Sequence, residues 1–475
     1  MSFAAARREG ATPARDALRA LWIGAGEPAE ALVMAHLEGD EPALPSSFAV
    51  GTAAQVGIAA AALAAAQLWQ LRGGQRQRVA VAMRDAALEC RSERYLRVDG
   101  RPMAEFRDRI AGVYRCGDGR WIRLHTNFPH HRDGILALLE CTGERADVER
   151  ALQRWSALDF EERAAGAGLP TAVSRSFAEW EAHEQAAAVA PLPLVGIERI
   201  GDAPPRSLPP GRGPLDAVRV LDLTRVIAGP VCTRVLAGHG ADVLLVTAAH
   251  LPAIEPLVID TGRGKLSCRI DLREPAGRDR LRALLREADV LVAAYRPGAL
   301  DALGFGAADL VRLRPGLVCV SLSAWGQAGP WAGRRGYDSL VQMATGLDDA
   351  EAAAAGADQP KPLPAQILDH ASGQLMAFGA MAALRRRAIE GGSWHVRVSL
   401  ARTAHWLAAL GRAAGGLAAP DPGFNDVRDR LEETASGFGR LTVVRPAARL
   451  SETPLQWRRP SVPLGTHAPA WPAGT

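Results

Sequence analysis

The feature that most constrains this chain is a series of short apolar segments separated by helical patterns between residues 218 and 325. "VRVLDLT" (218–224), "DVLLVT" (242–247), "LSCRIDL" (266–272), "DVLVAAY" (289–295) and "LVCVSLSAW" (317–325) have the character of buried strands. "VCTRVLAGHG" and "EPAGRDRLRALLREA" lie between them as helices. Apolar strands alternating with helices predict an α/β fold, a Rossmann-like open parallel sheet with helices on both faces. A dinucleotide site is not expected. The first turn reads "RVIAGP" without a GxGxxG pattern, and Thr247 ends the second strand where a ribose-binding acid would stand.

With 475 residues the chain is too long for one core, so two or three domains are expected. Hydrophobic residues at 48% against 23% charged ones exclude a disordered chain. A net charge of +4 gives nucleic-acid binding no support. None of the six cysteines forms a CxxC pair, which suits reduced core thiols in a cytoplasmic protein and no metal site. The opening residues lack the apolar region of a signal peptide. Residues 49–71 carry no charge but are mostly alanine, so they predict a buried helix and no membrane partner. His125, His130 and His131 match no standard metal spacing and read as surface histidines.

A Pro-rich stretch, "GDAPPRSLPPGRGP" (201–214), divides the chain into halves. In the first, "VYRCGDGRWIRLHT" predicts a hairpin turning at Asp118-Gly119. A repeat joins the two halves. "LWQLRGGQRQRVAVAMRDAAL" (68–88) parallels "LRRRAIEGGSWHVRVSLARTAHWL" (384–407), each a helix end, a basic turn, a strand and another helix. Asp369 precedes Val396 by 27 residues, and Thr52 precedes Val79 by the same interval. Both residue types cap helices well, so capping and a solvated turn are plain readings of Asp369. A carboxylate in only one copy points instead to a task that Thr52 cannot perform. The expected segments are an N-terminal helical segment (1–45), a partial large-domain copy (46–104), a smaller α+β domain (105–200), a linker (201–215), the large domain (216–410) and a C-terminal tail packing back on the body (411–475).

Five ordered motifs carry a family resemblance: "VRVLDLTRVIAGPVCTRVLAGHGADVLLV", "DTGRGKLSCRIDL", "ADVLVAAYRPGALDALGFG", "LRPGLVCVSLSAWGQAGPWAGRRGYDSLVQMATG" and "ILDHASGQLMAFGAMAAL". In this order they resemble the family III CoA-transferases (CaiB/BaiF group), relatives of formyl-CoA transferase and the methylacyl-CoA racemases. The resemblance implies CoA transfer between an acyl-CoA and a carboxylic acid, with no permanently bound cofactor. It places the nucleophile at Asp369, which would form aspartyl anhydride and aspartyl-CoA thioester intermediates. Adjacent His370 is an acid–base candidate by position alone, against which stands that helix neighbours point to different faces. It aligns CoA contacts with Ile227, Ala228, Asp271, Arg273, Ala294, Tyr295, Arg296, Arg334, Arg335, Tyr337 and Asp338. Arg225, Arg263 and Lys265 join them as basic residues at strand exits and in the "TGRGK" loop, where polyanions bind in open sheets.

The chain departs from the family pattern at Thr247, Ala248 and Ala302, where an acid, a basic residue and an arginine are usual, and it lacks the glycine run of formyl-CoA transferase. Two alternatives accompany the transferase reading: an acyl-CoA racemase, and a non-catalytic CoA-binding protein. Tyr337 stands where the racemases carry a histidine, and a phenol is a poor base at neutral pH. The order of parts resembles the back of one family subunit fused to the front of another, which implies a pseudo-dimeric monomer or a homodimer with one working site per chain.

Overall fold

The structure, a computed structural model, describes residues 10–105, 107–208 and 211–472. A seven-stranded sheet organises it. In chain order its strands are β1 (Gly196–Gly201), β2 (Arg219–Leu223), β3 (Asp242–Thr247), β4 (Lys265–Arg269), β5 (Val290–Ala293), β6 (Val318–Ser323) and β7 (Ser393–Ser399). They lie side by side as β4-β3-β2-β5-β6-β7-β1. All neighbours are parallel except β1, which runs antiparallel along β7. This is a doubly wound sheet with an antiparallel edge, and the winding reverses between β2 and β5. Val220, Leu221, Val243, Leu244, Val318 and Val320 are all buried, as strands covered on both faces require.

Five helices matter for the site: α1 (Val50–Leu71), α2 (Ala228–Gly238), α3 (Asp338–Ala344), α4 (Ile367–Glu390) and α5 (Leu400–Ala409). α1 and α4 pack closely because small residues face each other: a Cβ added to Gly57 would stand 3.2 Å from the Cβ of Gln374. Among the described residues α1 alone is long and apolar enough to cross a membrane, and its whole apolar window is buried inside the protein. α2 meets α4 at Gly373, where an added Cβ would lie 2.5 Å from the Ala228 carbonyl oxygen. That contact holds the first turn of α2 beside the first turns of α4.

A smaller three-stranded sheet takes two strands from the first half and one from the C-terminal tail. Ala35–Glu38 pairs in parallel with Val79–Ala82, and Ala448–Leu450 pairs antiparallel on the other side. Order and sense match β6-β7-β1, with Val79 opposite Ala35 as Val396 is opposite Val320. Residues 105–200 contain a three-stranded antiparallel sheet (Gly112–Arg115, Trp121–Leu124, Thr171–Val173) over a core that includes Tyr114, Ile122, Ile135 and Phe160. Its hairpin turns at Asp118-Gly119, with Gly119 at φ +81°. The last strand of this stretch, β1, leaves it to edge the large sheet. The C-terminal hairpin (Leu431–Ser436, Gly439–Val444) pairs in turn with Arg97–Val98 of the first half. The tail then follows β4, with the His467 N–H donating to the Ser267 carbonyl at 2.7 Å.

Candidate active site

Asp369 is the third residue of α4, and no side chain caps that helix at Gln366. Capping is therefore not its role. Its backbone N–H, one of the free donors of a helix start, is taken by the Asp338 Oδ2 of α3 at 2.9 Å. Its own carboxylate has no hydrogen-bond partner among the described residues and lines a cleft of about 580 Å³. Thr52 holds the same third position in α1, and the residues before the two helices share a backbone conformation, Ala49 at φ −77°, ψ 59° and Gln366 at φ −74°, ψ 60°. The Thr52 N–H is likewise taken by a carboxylate, Glu41 Oε1 at 2.6 Å. Thr52 is buried and does not line the cleft.

The cleft opens where the carboxyl ends of β2, β5 and β6 meet, at the reversal of the sheet. Arg225, Val226, Ile227 and Ala228 border it after β2, and Ala294, Tyr295 and Arg296 after β5. Arg334, Arg335 and Tyr337 border it on the way to α3. Val226 has φ +74°, a left-handed conformation for a β-branched residue. Such strain costs about 1–3 kcal/mol and is held where the surroundings over-determine it; here it turns the chain from β2 into α2 at the cleft wall. Arg225 donates to the Pro252 carbonyl at 3.0 Å, and Arg296 to the Gly333 carbonyl at 3.3 Å. Arg334 pairs with Glu162 and lies 4.8 Å from the Trp331 ring centre. Burial and the neighbouring Arg296 and Arg225 charges lower the pKa of Arg335, the electrostatic mark of a cationic cluster short of anions. Burial, then the Asp338 and Glu93 charges, raise the Asp369 carboxyl well above the ordinary range. Burial raises Asp338 as well, against the Asp369 N–H that stabilises its charge. Two such carboxyls titrate as a pair.

Residues 215–414 match CoA-transferase family III. The match spans somewhat less than half of the chain. Similar proteins include the "Probable fatty acyl-CoA transferase Rv3272" of Mycobacterium tuberculosis, 34% identical over 228 residues, which are 44% of this chain and 57% of that protein. The "Acetyl-coenzyme A transferase nodX" of Hypoxylon pulicicidum is 30% identical over 63% of this chain and 54% of its own length. The "Formyl-CoA:oxalate CoA-transferase" of Rhodopseudomonas palustris is 34% identical over 36% of this chain and 43% of its own length. Solved structures with likeness include that of Rv3272 (33% identity, TM-score 0.39, 42% of this chain and 58% of that one). Another is a CaiB/BaiF family protein from Brucella suis (26% identity, TM-score 0.38, 48% and 65%). The chain spans about half the length of the curated relatives it matches.

Within the family III segment, two of the basic residues expected at the site lie elsewhere. Lys265 is buried, its Nζ 3.0 Å from Asp222 and 2.9 Å from the Pro230 carbonyl. Arg263 is buried too, 3.4 Å from Asp260 and 4.1 Å from the Trp457 ring centre. Neither lines the cleft that holds Asp369. The reason is position along the strand: both sit at the entry of β4, whereas the cleft lies at strand exits. Asp271 and Arg273, at the β4 exit, pair at 2.6 Å beside a smaller pocket of about 150 Å³. That pocket shares His250, Leu251 and Tyr295 with the cleft.

The histidines are not simply surface groups. The His125 ring stacks on Tyr337 at 3.8 Å with an interplanar angle of 2°. His131 is buried, with Nε2 3.4 Å from Arg335, and His130 lines the cleft. Burial lowers His125 to about 4 and His131 to about 3, so both stay neutral at physiological pH. His130 thus borders the cleft from outside the matched segment, with His125 and His131 backing Tyr337 and Arg335. No local pattern announces this, because the contact exists only once the hairpin lies over the start of α3. His370 turns away from the cleft, its Nε2 3.2 Å from Glu93 Oε2.

Proposed function

We propose that the chain transfers coenzyme A from an acyl-CoA to a carboxylic acid, with Asp369 as the nucleophile. The observation that carries this reading is a buried, unpartnered carboxylate at a helix start, facing a cleft with arginines at its rim. It lies in the segment that matches CoA-transferase family III. The Asp369 carboxylate attacks the thioester carbonyl, forming a mixed anhydride and expelling CoA thiolate. The thiolate attacks the aspartyl carbonyl, releasing the first acid and leaving an aspartyl-CoA thioester. The acceptor carboxylate repeats these two steps in reverse, and the new acyl-CoA leaves with Asp369 free. Covalent division of this kind retains the thioester energy that hydrolysis would lose. The raised proton affinity of Asp369 makes its ionised form a stronger nucleophile, at the cost of a smaller ionised fraction at low pH.

Arg225, Arg296 and Arg335 are assigned to the CoA diphosphate, and the smaller pocket with Asp271 and Arg273 to the adenosine end. Burial raises Tyr337 above its ordinary range near 10, which weighs against a racemase base there. Five of the six free cysteines are buried, which fits a cytoplasmic protein. The matching strand triplets and the equivalent Thr52 and Asp369 positions support an internal duplication in which two halves make one site. Assay of Asp369→Ala with a panel of acyl-CoA donors and carboxylic acids tests the function. A loss of about three orders of magnitude or more is expected; retention of a tenth of the activity contradicts it.

A further inference from the structure

A buried polar seam joins the first half to the back of the site. The segment "ECRSE" (89–93) presents Glu89, Ser92 and Glu93 to α2 and α4. Glu89 accepts from Gln374 Nε2 at 3.3 Å and from the Ala447 N–H at 2.7 Å. The Ser92 hydroxyl donates to Asp260 at 2.6 Å, and Arg234 pairs with the same Asp260 oxygen at 2.8 Å. Glu93 stands nearest the nucleophile. It is 7% exposed, and its Oε2 lies 3.2 Å from Nε2 of His370, the residue next to Asp369 in α4. Arg234 and Arg263 both lie against Asp260, and Arg234 is also 3.9 Å from Glu89, so among the described residues neither arginine pairs with Glu93.

We infer that Glu93 is a positioning residue for Asp369: it anchors the first turn of α4 through His370 and places a carboxylate behind the nucleophile. The inference deepens the transferase reading and rests on it for its catalytic consequence. The groups that face Asp369 are Asp338 and Tyr337 from α3 and its preceding loop, Glu93 from the first half, and the cleft arginines Arg225 and Arg335 beside Tyr337. Of these, only Asp338 and Glu93 add to the burial that holds its proton. The first half therefore shares in setting the pH at which the nucleophile ionises. No residue within the matched family segment supplies this carboxylate.

The test is an infrared titration of the Asp369 carboxyl in protein labelled with ¹³C-aspartate, its band identified by loss in Asp369→Asn. In Glu93→Gln the titration should move to lower pH by about one unit, as removal of a like charge at close range predicts. The acidic limb of the transfer rate should move with it, and KM for acyl-CoA should stay within about twofold. An unmoved titration overturns the inference and leaves the transferase reading standing. A wild-type protein without transfer activity would sink that reading without touching the titration. Glu93→Asp guards against misfolding of the glutamine variant: it keeps the charge but falls short of His370. Its titration should stay near wild type while its maximal rate falls about threefold or more; a wild-type rate there overturns the anchoring role.

Discussion

Asp338 and Asp369 are joined by a hydrogen bond from the Asp369 N–H to the Asp338 carboxylate at 2.9 Å. The bond ties the first residue of α3 to the third of α4, so one carboxylate both orients the nucleophile's helix and repels its charge. Asp338→Asn keeps an oxygen to accept the N–H and removes the charge. The acidic limb of the pH–rate profile should then move down by about one unit. Stopped-flow release of CoA across pH 4–8 checks this, and an unmoved limb would assign Asp338 to structure alone.

The arginines of the cleft should act on donor binding. Arg296→Gln and Arg335→Gln should each raise KM for acyl-CoA by about tenfold to a hundredfold, the loss of one charge-assisted hydrogen bond, with kcat nearly unchanged. Steady-state kinetics with one donor and saturating acceptor suffice. An unchanged KM in both variants would place the CoA phosphates on another surface.

Lys265 should behave as a core residue. Lys265→Met leaves Asp222 buried without its charge partner and should destabilise the fold by about 3–5 kcal/mol. Urea unfolding reads that loss. A selective rise in KM for acyl-CoA with normal stability would contradict the burial seen here.

Asp348 provides a stability test at a residue that does not line the cleft. It is wholly buried, neither carboxyl oxygen has a hydrogen-bond partner, and burial raises its pKa to about 7 even with Arg123 at 3.5 Å. The unfolded value is near 3.9. Between about pH 4 and 7 the folded chain thus binds more protons than the unfolded chain, and stability falls as pH rises. Asp348→Asn should gain about 1–3 kcal/mol over wild type at pH 8, less the loss to Arg123, and little at pH 4. Equal differences at both pH values would exclude a raised pKa.

The parallel sheet was legible because its strands are apolar throughout, a pattern that few other arrangements produce. Asp369 was legible from the repeat, since Thr52 occupies the same turn of an equivalent helix. The basic loops were only half legible. Sequence gives the charge of Arg225 and Lys265 alike, but whether such a residue faces solvent or an internal carboxylate depends on which end of the strand it occupies. β1 and Ala448–Leu450 were hidden because each pairs with a strand far away in sequence. Glu93 and His125 were hidden for a related reason: both reach the site across the boundary between the halves, where no local periodicity points.

The most direct measurement concerns the covalent intermediate. Protein incubated with an acyl-CoA and then with hydroxylamine, digested and analysed by mass spectrometry, should carry a hydroxamate at Asp369. Hydroxylamine intercepts an aspartyl anhydride or thioester at that carbonyl and leaves other carboxylates unmodified. The peptide from wild type should gain 15 Da there, about the difference between a hydroxyl and a hydroxylamino group, and the Asp369→Asn peptide should not. Active transfer with no modified Asp369 in the wild-type protein would contradict covalent catalysis by this residue.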